Sequence, residues 1–171
     1  FNPWDREKCP IHNPEARKKT IASFASFAKR YAHWPNVSVD AINEPSYSIA
    51  GRWTLARPSG DYYERLNWIG WLKRKYNNNI NLLRATWGVS SAEIQSFEDV
   101  DVPDMAQFSR NYDRKDIYRN YPSLTDFFNF AREYYSKWVA DIREAVKKVN
   151  PAMLFMMGRD ERLRIPSQQY E

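Results

Sequence analysis

Hydrophobic residues recur along this chain with two periods, and the longer one, about 3.6 residues, is that of an amphipathic α-helix. This period predicts helices over residues 14–33, 61–76, 80–87 and 123–149. Asn13 precedes the first stretch and Ser123 begins the last, where their side chains can accept hydrogen bonds from the first backbone N–H groups. Asp126 follows Ser123 at the spacing of a capping box, and Gly88 ends the third stretch.

The shorter period is two residues, which is typical of a β-strand with one buried face. Val37, Val39 and Ala41 alternate with polar residues and predict a strand over residues 36–42. Residues 153–157 form a continuous apolar run instead. A run of this kind predicts a strand that is buried on both faces.

The predicted elements alternate between helix and strand, which indicates the α/β class with a parallel sheet. Residues 46–122 separate the two strands and are too long for an ordinary connection. Within them, residues 46–60 and 89–122 are predicted to be mostly loop. We therefore predict a helical insertion over residues 46–122, between two segments, 1–45 and 123–171, that carry the sheet and its helices.

Composition and charge argue against two classes of function. The 171 residues carry a formal net charge of +5, but the 26 basic and 21 acidic side chains are interspersed, without a run of five like charges. Binding to nucleic acid is therefore kept only as a hypothesis, because it needs a clustered basic surface. No apolar run approaches the ~20 residues that span a bilayer.

The residues that could bind a metal lack the spacing of a metal site. Cys9 is the only cysteine, which excludes an internal disulfide, and it forms no zinc pattern with His12 and His33. Both histidines are predicted to lie at the surface or at helix ends. The acidic residues between 98 and 104 lack the regular ligand spacing of a calcium loop. The sequence therefore predicts neither a metal site nor a cofactor.

The candidate chemistry lies directly after the strand predicted over residues 36–42. The sequence continues there as Asn43-Glu44-Pro45, and Pro45 has no N–H group to extend a ladder. A carboxylate therefore follows the C-terminal end of a strand, which is where barrels of parallel strands carry their catalytic groups. The alternatives are that Glu44 is an ordinary loop carboxylate and that Asn43 caps a turn.

The sequence around Glu44 resembles the retaining glycoside hydrolases with a (β/α)8 barrel, known as clan A. Family 5 of that clan, the cellulases and mannanases, has three short motifs in a fixed order. This chain carries them at Arg30-Tyr31, Pro35-Asn36-Val37 and Asn43-Glu44-Pro45. Residues 71–76 and 81–88 resemble a helical segment of the family 42 β-galactosidases. Pro45 departs from family 42, where an aromatic residue is usual, so these residues indicate the clan more strongly than either family.

The resemblance covers most of residues 12–90 and, more weakly, 123–158. It implies that the chain is part of a TIM barrel, from about the third helix to the fifth strand, with a helical insertion after the Asn-Glu-Pro strand. It also implies a β-glycosidase that acts on oligo- or polysaccharides. Glu44 would be the general acid/base, and Asn43 would bind the sugar hydroxyl next to the anomeric carbon. A glycosidic oxygen is a poor leaving group and must be protonated as its bond breaks.

Retention of configuration needs a second carboxylate about 5–5.5 Å from the first. The clan carries this nucleophile on the seventh strand, whereas residues 153–157 would form only the fifth. A complete barrel takes ~250 residues. We therefore expect a segment of a larger enzyme that is inactive alone and whose nucleophile lies outside the 171 residues. Glu161 is the alternative nucleophile within the chain.

Aromatic residues after Glu44 are further candidates for binding the substrate. Tyr47 and Trp53 could stack on a sugar ring, or could equally pack the insertion onto the barrel. Arg159 could reach the cleft, although a surface ion pair fits it better. The main alternative function is a carbohydrate-binding protein on the same scaffold without catalysis. In either case the expected partner is a carbohydrate, not nucleic acid or a membrane, and the oligomeric state and location stay open.

Overall fold

The computed structural model describes residues 9–41, 48–49, 52–56, 61–103 and 121–157, with the backbone alone for 48–49 and 52–56. In these parts of the chain the helices are α1 (Pro14–Arg30), α2 (Tyr62–Lys75), α3 (Ile80–Trp87) and α4 (Pro122–Val149), and the strands are β1 (Ser38–Asp40), β2 (Ser48–Ile49), β3 (Arg52–Ala56) and β4 (Leu154–Met156). The chain divides into two compact units, Phe1–Ser46 with Arg132–Glu171 and Tyr47–Ala131. Helix α4 has residues in both units.

The first unit is mixed α/β and contains a small parallel sheet. Strands β1 and β4 pair in parallel, with Val39 opposite Phe155. Val39 and Ala41 are buried, whereas Asp40 between them is exposed. The predicted parallel pairing and the two-residue alternation of the first strand are therefore confirmed.

Helix α1 begins where the sequence predicts. The Asn13 side-chain oxygen accepts hydrogen bonds from the N–H groups of Glu15 and Ala16, at 3.0 and 3.2 Å. The helix ends at Arg30, before the predicted end near His33. Arg17 joins α1 to α4, because its Nε and Nη2 donate to Asp141 Oδ2 at 3.0 and 2.6 Å.

His12 directly precedes the cap of α1, as the prediction of a helix end allows, but it does not lie at the surface, because it is 5 % exposed. The His12 N–H donates to the Cys9 carbonyl in the turn that precedes α1. The turn packs the imidazole against α4, with its ring centroid 5.4 Å from that of Tyr134. Cys9 and Ile11 are buried in the same turn, so the short segment before α1 belongs to the core of the first unit.

The second unit corrects the prediction of loop over residues 46–60. Strands β2 and β3 pair in an antiparallel arrangement there, with Ser48 opposite Ala56. The signal was available, because Ile49, Trp53 and Thr54 are residues that favour strands. Helices α2 and α3 follow as predicted, and Gly88 ends α3 in the left-handed conformation at φ +70°. A short 3-10 helix at Phe97–Asp99 lies in the stretch predicted to be mostly loop.

Helix α4 begins one residue before its predicted cap. Pro122 is its first residue, and the Tyr121 carbonyl accepts hydrogen bonds from the N–H groups of Leu124 and Thr125. Proline suits this position because its fixed φ is helical and the missing N–H group would have no partner. The capping box predicted for Ser123 and Asp126 is therefore wrong, and Asp126 is buried.

Strand β4 differs from the prediction of burial on both faces. Leu154 and Met156 are 67 % and 50 % exposed, while Phe155 between them is half-buried. The register places Ser38 opposite Leu154 and Asp40 opposite Met156. We call the face that carries these four residues the open face. The apolar residues of the open face are therefore in contact with solvent.

Candidate active site

The strand that precedes the predicted site is β1. Its buried residue Val39 and the buried Ala41 directly after it alternate with Ser38 and Asp40 of the open face. Asn43, Glu44 and Tyr47 lie outside the described residues. Trp53 belongs to β3, of which the backbone alone is described. The roles of these four residues therefore remain predictions, as do those of Glu161 and Arg159, which also lie outside the described residues.

The C-terminal ends of β1 and β4 lie at the same edge of the parallel sheet. The Ala41 N–H donates to the Met156 carbonyl at 3.0 Å, so pairing continues past the last residue of β1. Met157, at the end of β4, accepts a hydrogen bond on Sδ from the Tyr135 hydroxyl at 3.5 Å. Both strand ends that precede candidate residues are thus held by contacts within the first unit.

The end of α4 fixes the entry into β4. The Lys147 ammonium donates to the carbonyls of Pro151 and Met153, at 3.0 and 2.7 Å. A cation is favoured at this position because the last carbonyls of a helix carry partial negative charge. Asn150 accepts a hydrogen bond from the Met153 N–H on its side-chain oxygen. These contacts set the turn through which the chain leaves α4 and enters the sheet.

A buried carboxylate in the second unit was missed by the sequence analysis. Asp126 accepts hydrogen bonds from the Tyr76 hydroxyl at 2.5 Å and from Trp87 Nε1 at 2.9 Å, both on Oδ2. Its Oδ1 accepts a hydrogen bond from the ammonium of Lys75. Asp126 is 3 % exposed, and the Lys75 ammonium also lies 5.2 Å from the ring centroid of Trp71. We call Asp126, Lys75, Tyr76 and Trp87 the Asp126 cluster.

The electrostatics of the Asp126 cluster favour a structural role. Burial and the hydrogen bond to Asp126 raise the pKa of Tyr76 far above its ordinary value, so its hydroxyl stays protonated and continues to donate. Three donors bind the two carboxylate oxygens of Asp126. One of them, the ammonium of Lys75, also balances the negative charge of the carboxylate. The cluster therefore joins the C-terminal ends of α2 and α3 to the start of α4. A missed signal was the position of Asp126, an acidic residue within the apolar stripe of α4.

Aromatic residues surround this cluster and form the core of the second unit. Trp68 is fully buried, and its ring stacks at 5.6 Å on Trp71 and at 6.2 Å on Trp87. Phe127 and Phe130 of α4 contact the same ring at 5.6 and 5.2 Å. These aromatic residues contribute to packing, so the high aromatic content of the chain reflects, at these positions, a core and not a sugar-binding surface.

The acidic stretch that follows α3 is bound to basic side chains of α2. Glu98 pairs with Lys73, and Asp101 accepts from Arg65 Nε at 2.9 Å. Asp99 accepts from the Ser96 N–H at 2.7 Å, and this bond is the main cause of the lowered pKa of its carboxyl group. The carboxylates thus serve to fix the loop. Across the described ranges, no group of three or more His, Cys, Asp or Glu residues could hold a metal ion.

No described helix is both long and apolar enough to cross a membrane. Among the described residues, a second carboxylate is buried, that of Glu64 on α2, and the backbone N–H of Glu64 donates to the Asp61 side chain at 2.8 Å.

Comparison with known proteins assigns the chain to a family. The sequence profile of glycoside hydrolase family 42, described as beta-galactosidase, matches residues 2–162. Neither the curated proteins nor the solved structures contain a significant match. The family match agrees with the resemblance of residues 71–76 and 81–88 and covers nearly the whole chain, although Pro45 departs from the usual family residue. The chain therefore belongs to the β-galactosidase family of the glycoside hydrolases, family 42.

Proposed function

We propose that this chain is the part of a retaining β-galactosidase that supplies the general acid/base, Glu44. The family supports a glycoside hydrolase of the β-galactosidase type, and hence a carbohydrate substrate. Glu44 would protonate the glycosidic oxygen as its bond breaks and then activate the water that releases the sugar. Asn43 would hydrogen-bond the hydroxyl next to the anomeric carbon. Tyr47 and Trp53 would contact the sugar ring.

The observation that carries this proposal is the parallel pairing of β1 with β4. The Ala41 N–H bonds the Met156 carbonyl, so the two strands end at the same edge of the sheet. Asn43 and Glu44 follow Ala41 by two and three residues in the sequence. Parallel barrels carry their catalytic groups at this edge, which supports a role of both residues there.

The open face also supports the proposal that the chain is a segment of a TIM barrel, from about its third helix to its fifth strand. Parallel sheets are normally covered on both faces, whereas Leu154 and Met156 are exposed. In a barrel this face would point to the interior and be covered by the remaining strands. The proposed organisation is a barrel part over residues 1–45, a helical insertion over 46–122 and a second barrel part over 123–171. The nucleophile would lie outside these residues, so the segment alone would be inactive.

The test is the substitution Glu44→Gln in the full-length protein, assayed with β-galactosides of different leaving groups. Glutamine cannot donate a proton, and loss of a general acid lowers the rate by roughly 100-fold or more. A nitrophenolate needs little protonation, so its galactoside should lose far less activity than a galactoside with a sugar or alkyl leaving group.

A matched control for this experiment is Glu15→Gln, which changes an exposed glutamate on α1 and should leave both activities unchanged. Equal losses for good and poor leaving groups would contradict the role of Glu44 as acid. Saccharide binding without hydrolysis by the unsubstituted full-length protein would contradict the enzyme and favour the carbohydrate-binding alternative.

A further inference from the structure

The turn that leads from α1 into β1 is exposed. Every residue from 32 to 36 is exposed, and Trp34 is 63 % exposed, although tryptophan side chains are on average well buried. The Val37 N–H donates to the Trp34 carbonyl at 3.3 Å and closes the turn over Pro35 and Asn36. Proline suits the second position of such a turn because of its fixed φ, and asparagine is a common turn residue. Asn36 is therefore held at the surface by a defined turn.

The sequence of this turn contains an acceptor pattern for a covalent modification. Asn36, Val37 and Ser38 form the pattern Asn-x-Ser, in which x is not proline. N-linked glycosylation uses this pattern on surface loops of secreted proteins. No other asparagine of the 171 residues is followed by serine or threonine at this spacing. The tripeptide alone is common in proteins, but here its asparagine coincides with an exposed turn, as the modification requires.

We propose that Asn36 carries an N-linked glycan whose first sugar packs on the indole of Trp34. The donor is an oligosaccharide on a polyprenyl diphosphate, and a membrane-bound transferase catalyses the transfer. The Nδ2 atom of Asn36 forms a bond to the anomeric carbon of the first sugar. The bond from that carbon to the diphosphate oxygen breaks, and its electron pair leaves with the polyprenyl diphosphate. One amide proton passes to a base of the transferase.

Trp34 provides a surface for the first sugar of this glycan. Trp34 and Asn36 occupy the first and third positions of the same turn. Their Cα atoms lie within about 7.6 Å of each other, because consecutive Cα atoms are ~3.8 Å apart. The C–H face of a sugar ring is apolar, and its contact with the indole removes apolar surface from water. The exposure of Trp34 is thus explained by a partner that is attached two residues away.

The glycan lies at the end of β1 opposite to the candidate catalytic residues. Asn36 precedes the strand, whereas Asn43 and Glu44 follow it. A glycan at Asn36 therefore leaves the candidate site accessible to substrate. The inference does not rest on the proposed function, because the acceptor pattern, the exposed turn and Trp34 are independent of catalysis.

The first test is the mass of the tryptic peptide of residues 31–52, taken from the full-length protein as its source cells produce it. Trypsin cleaves after Arg30 and Arg52, and Asn36 is the one acceptor in this peptide. We expect a mass that exceeds the sequence mass by whole sugar residues, with fragment ions that assign the increase to Asn36. Ser38→Ala should abolish the increase, whereas the matched control Ser38→Thr keeps the hydroxyl and should retain it. An unmodified peptide from the parent protein, or an increase that persists in Ser38→Ala, would overturn the proposal.

A second measurement tests the contact between the glycan and Trp34. The substitution Trp34→Ala is compared in the glycosylated full-length protein and in the same protein with Asn36→Gln, which has no acceptor. We expect the Tm to fall by roughly 2 °C or more in the glycosylated protein and to stay unchanged in the other. Equal changes in the two proteins would contradict packing of the sugar on Trp34. Neither readout depends on activity, so these tests and that of Glu44 fail independently.

Discussion

Tyr76 and Asp126 lie 50 positions apart in the sequence, yet the tyrosine hydroxyl donates a hydrogen bond of 2.5 Å to the buried carboxylate. The contact joins the residue that ends α2 to the first turns of α4. Trp87, the last residue of α3, donates to the same oxygen at 2.9 Å. Three helices of the second unit therefore converge on a single carboxylate, and its removal affects all of them.

We expect Asp126→Ala to destabilise the second unit by about 3–5 kcal/mol, because it leaves a buried donor set without its acceptor. The control is Asp141→Ala, whose carboxylate binds Arg17 in the first unit at 36 % side-chain exposure. A partly exposed pair contributes far less, so the control should lose about 1 kcal/mol or less. Denaturation followed by tryptophan fluorescence measures both. Equal losses of stability in the two variants would show that the Asp126 cluster stabilises the fold no more than the partly exposed pair of Arg17 and Asp141 does.

Tyr76→Phe should change the response of the protein to alkaline pH. The folded state holds Tyr76 protonated, because burial and Asp126 raise its pKa, while the unfolded chain ionises near the ordinary value of 10.0. Above that pH the unfolded state alone loses the proton, so stability falls as pH rises. The phenylalanine variant should lose the hydrogen bond, about 1–2 kcal/mol at neutral pH, and show a shallower decline above pH 10. An unchanged alkaline slope would contradict the pKa assignment.

His12 makes the first unit sensitive to acid. Burial, with a smaller contribution from the charge of Arg17, lowers its pKa from 6.5 to about 3. Between these values the unfolded chain binds a proton that the folded protein does not, so folding stability falls as pH decreases below 6.5. The loss is about 2 kcal/mol by pH 5.

The variant His12→Phe keeps an aromatic ring against Tyr134 and cannot be protonated. It should remove most of this dependence on pH, as measured by urea denaturation at pH 7 and pH 5. The control His33→Phe changes an exposed histidine and should keep the acid sensitivity of the parent. If the stability of the His12 variant and that of the parent depended equally on pH, a group other than His12 would be the cause of the acid sensitivity.

Local signals predicted the helices well. The side chain of Asn13 binds the first N–H groups of α1, and Gly88 ends α3 with a positive φ, so in both cases one residue carries the information. The parallel pairing of β1 and β4 also followed from the sequence, because strands that alternate with helices rarely pair otherwise.

The features that the sequence analysis missed depend on distant residues. Asp126 fits a capping box by spacing, and only the approach of Lys75, Tyr76 and Trp87 makes it a buried acceptor. The apolar run at β4 predicts burial on both faces, but burial depends on which elements cover each face. The position of Asn43 and Glu44 after a predicted strand made them candidates, whereas their roles come from the resemblance and stay predictions.

Replacement by alanine should have opposite effects on stability at Gly70 and at Gly88. Gly70 lies inside α2, and a methyl group added there would meet nothing nearer than the end of the Arg74 side chain, at 3.9 Å. Gly70→Ala should therefore stabilise the protein by about 0.5–1 kcal/mol, because alanine loses less backbone entropy in a helix.

Gly88 has open space around it, but its φ of +70° is a conformation that side chains disfavour. Gly88→Ala should destabilise the protein by about 1 kcal/mol through backbone strain alone. The two variants serve as controls for each other, since each adds one methyl group without a clash. Chemical denaturation should separate their midpoints in opposite directions from the parent. Stabilisation by Gly88→Ala would mean that α3 ends differently from the arrangement described, in which Gly88 adopts the left-handed conformation and Val89 N–H bonds the Arg84 carbonyl.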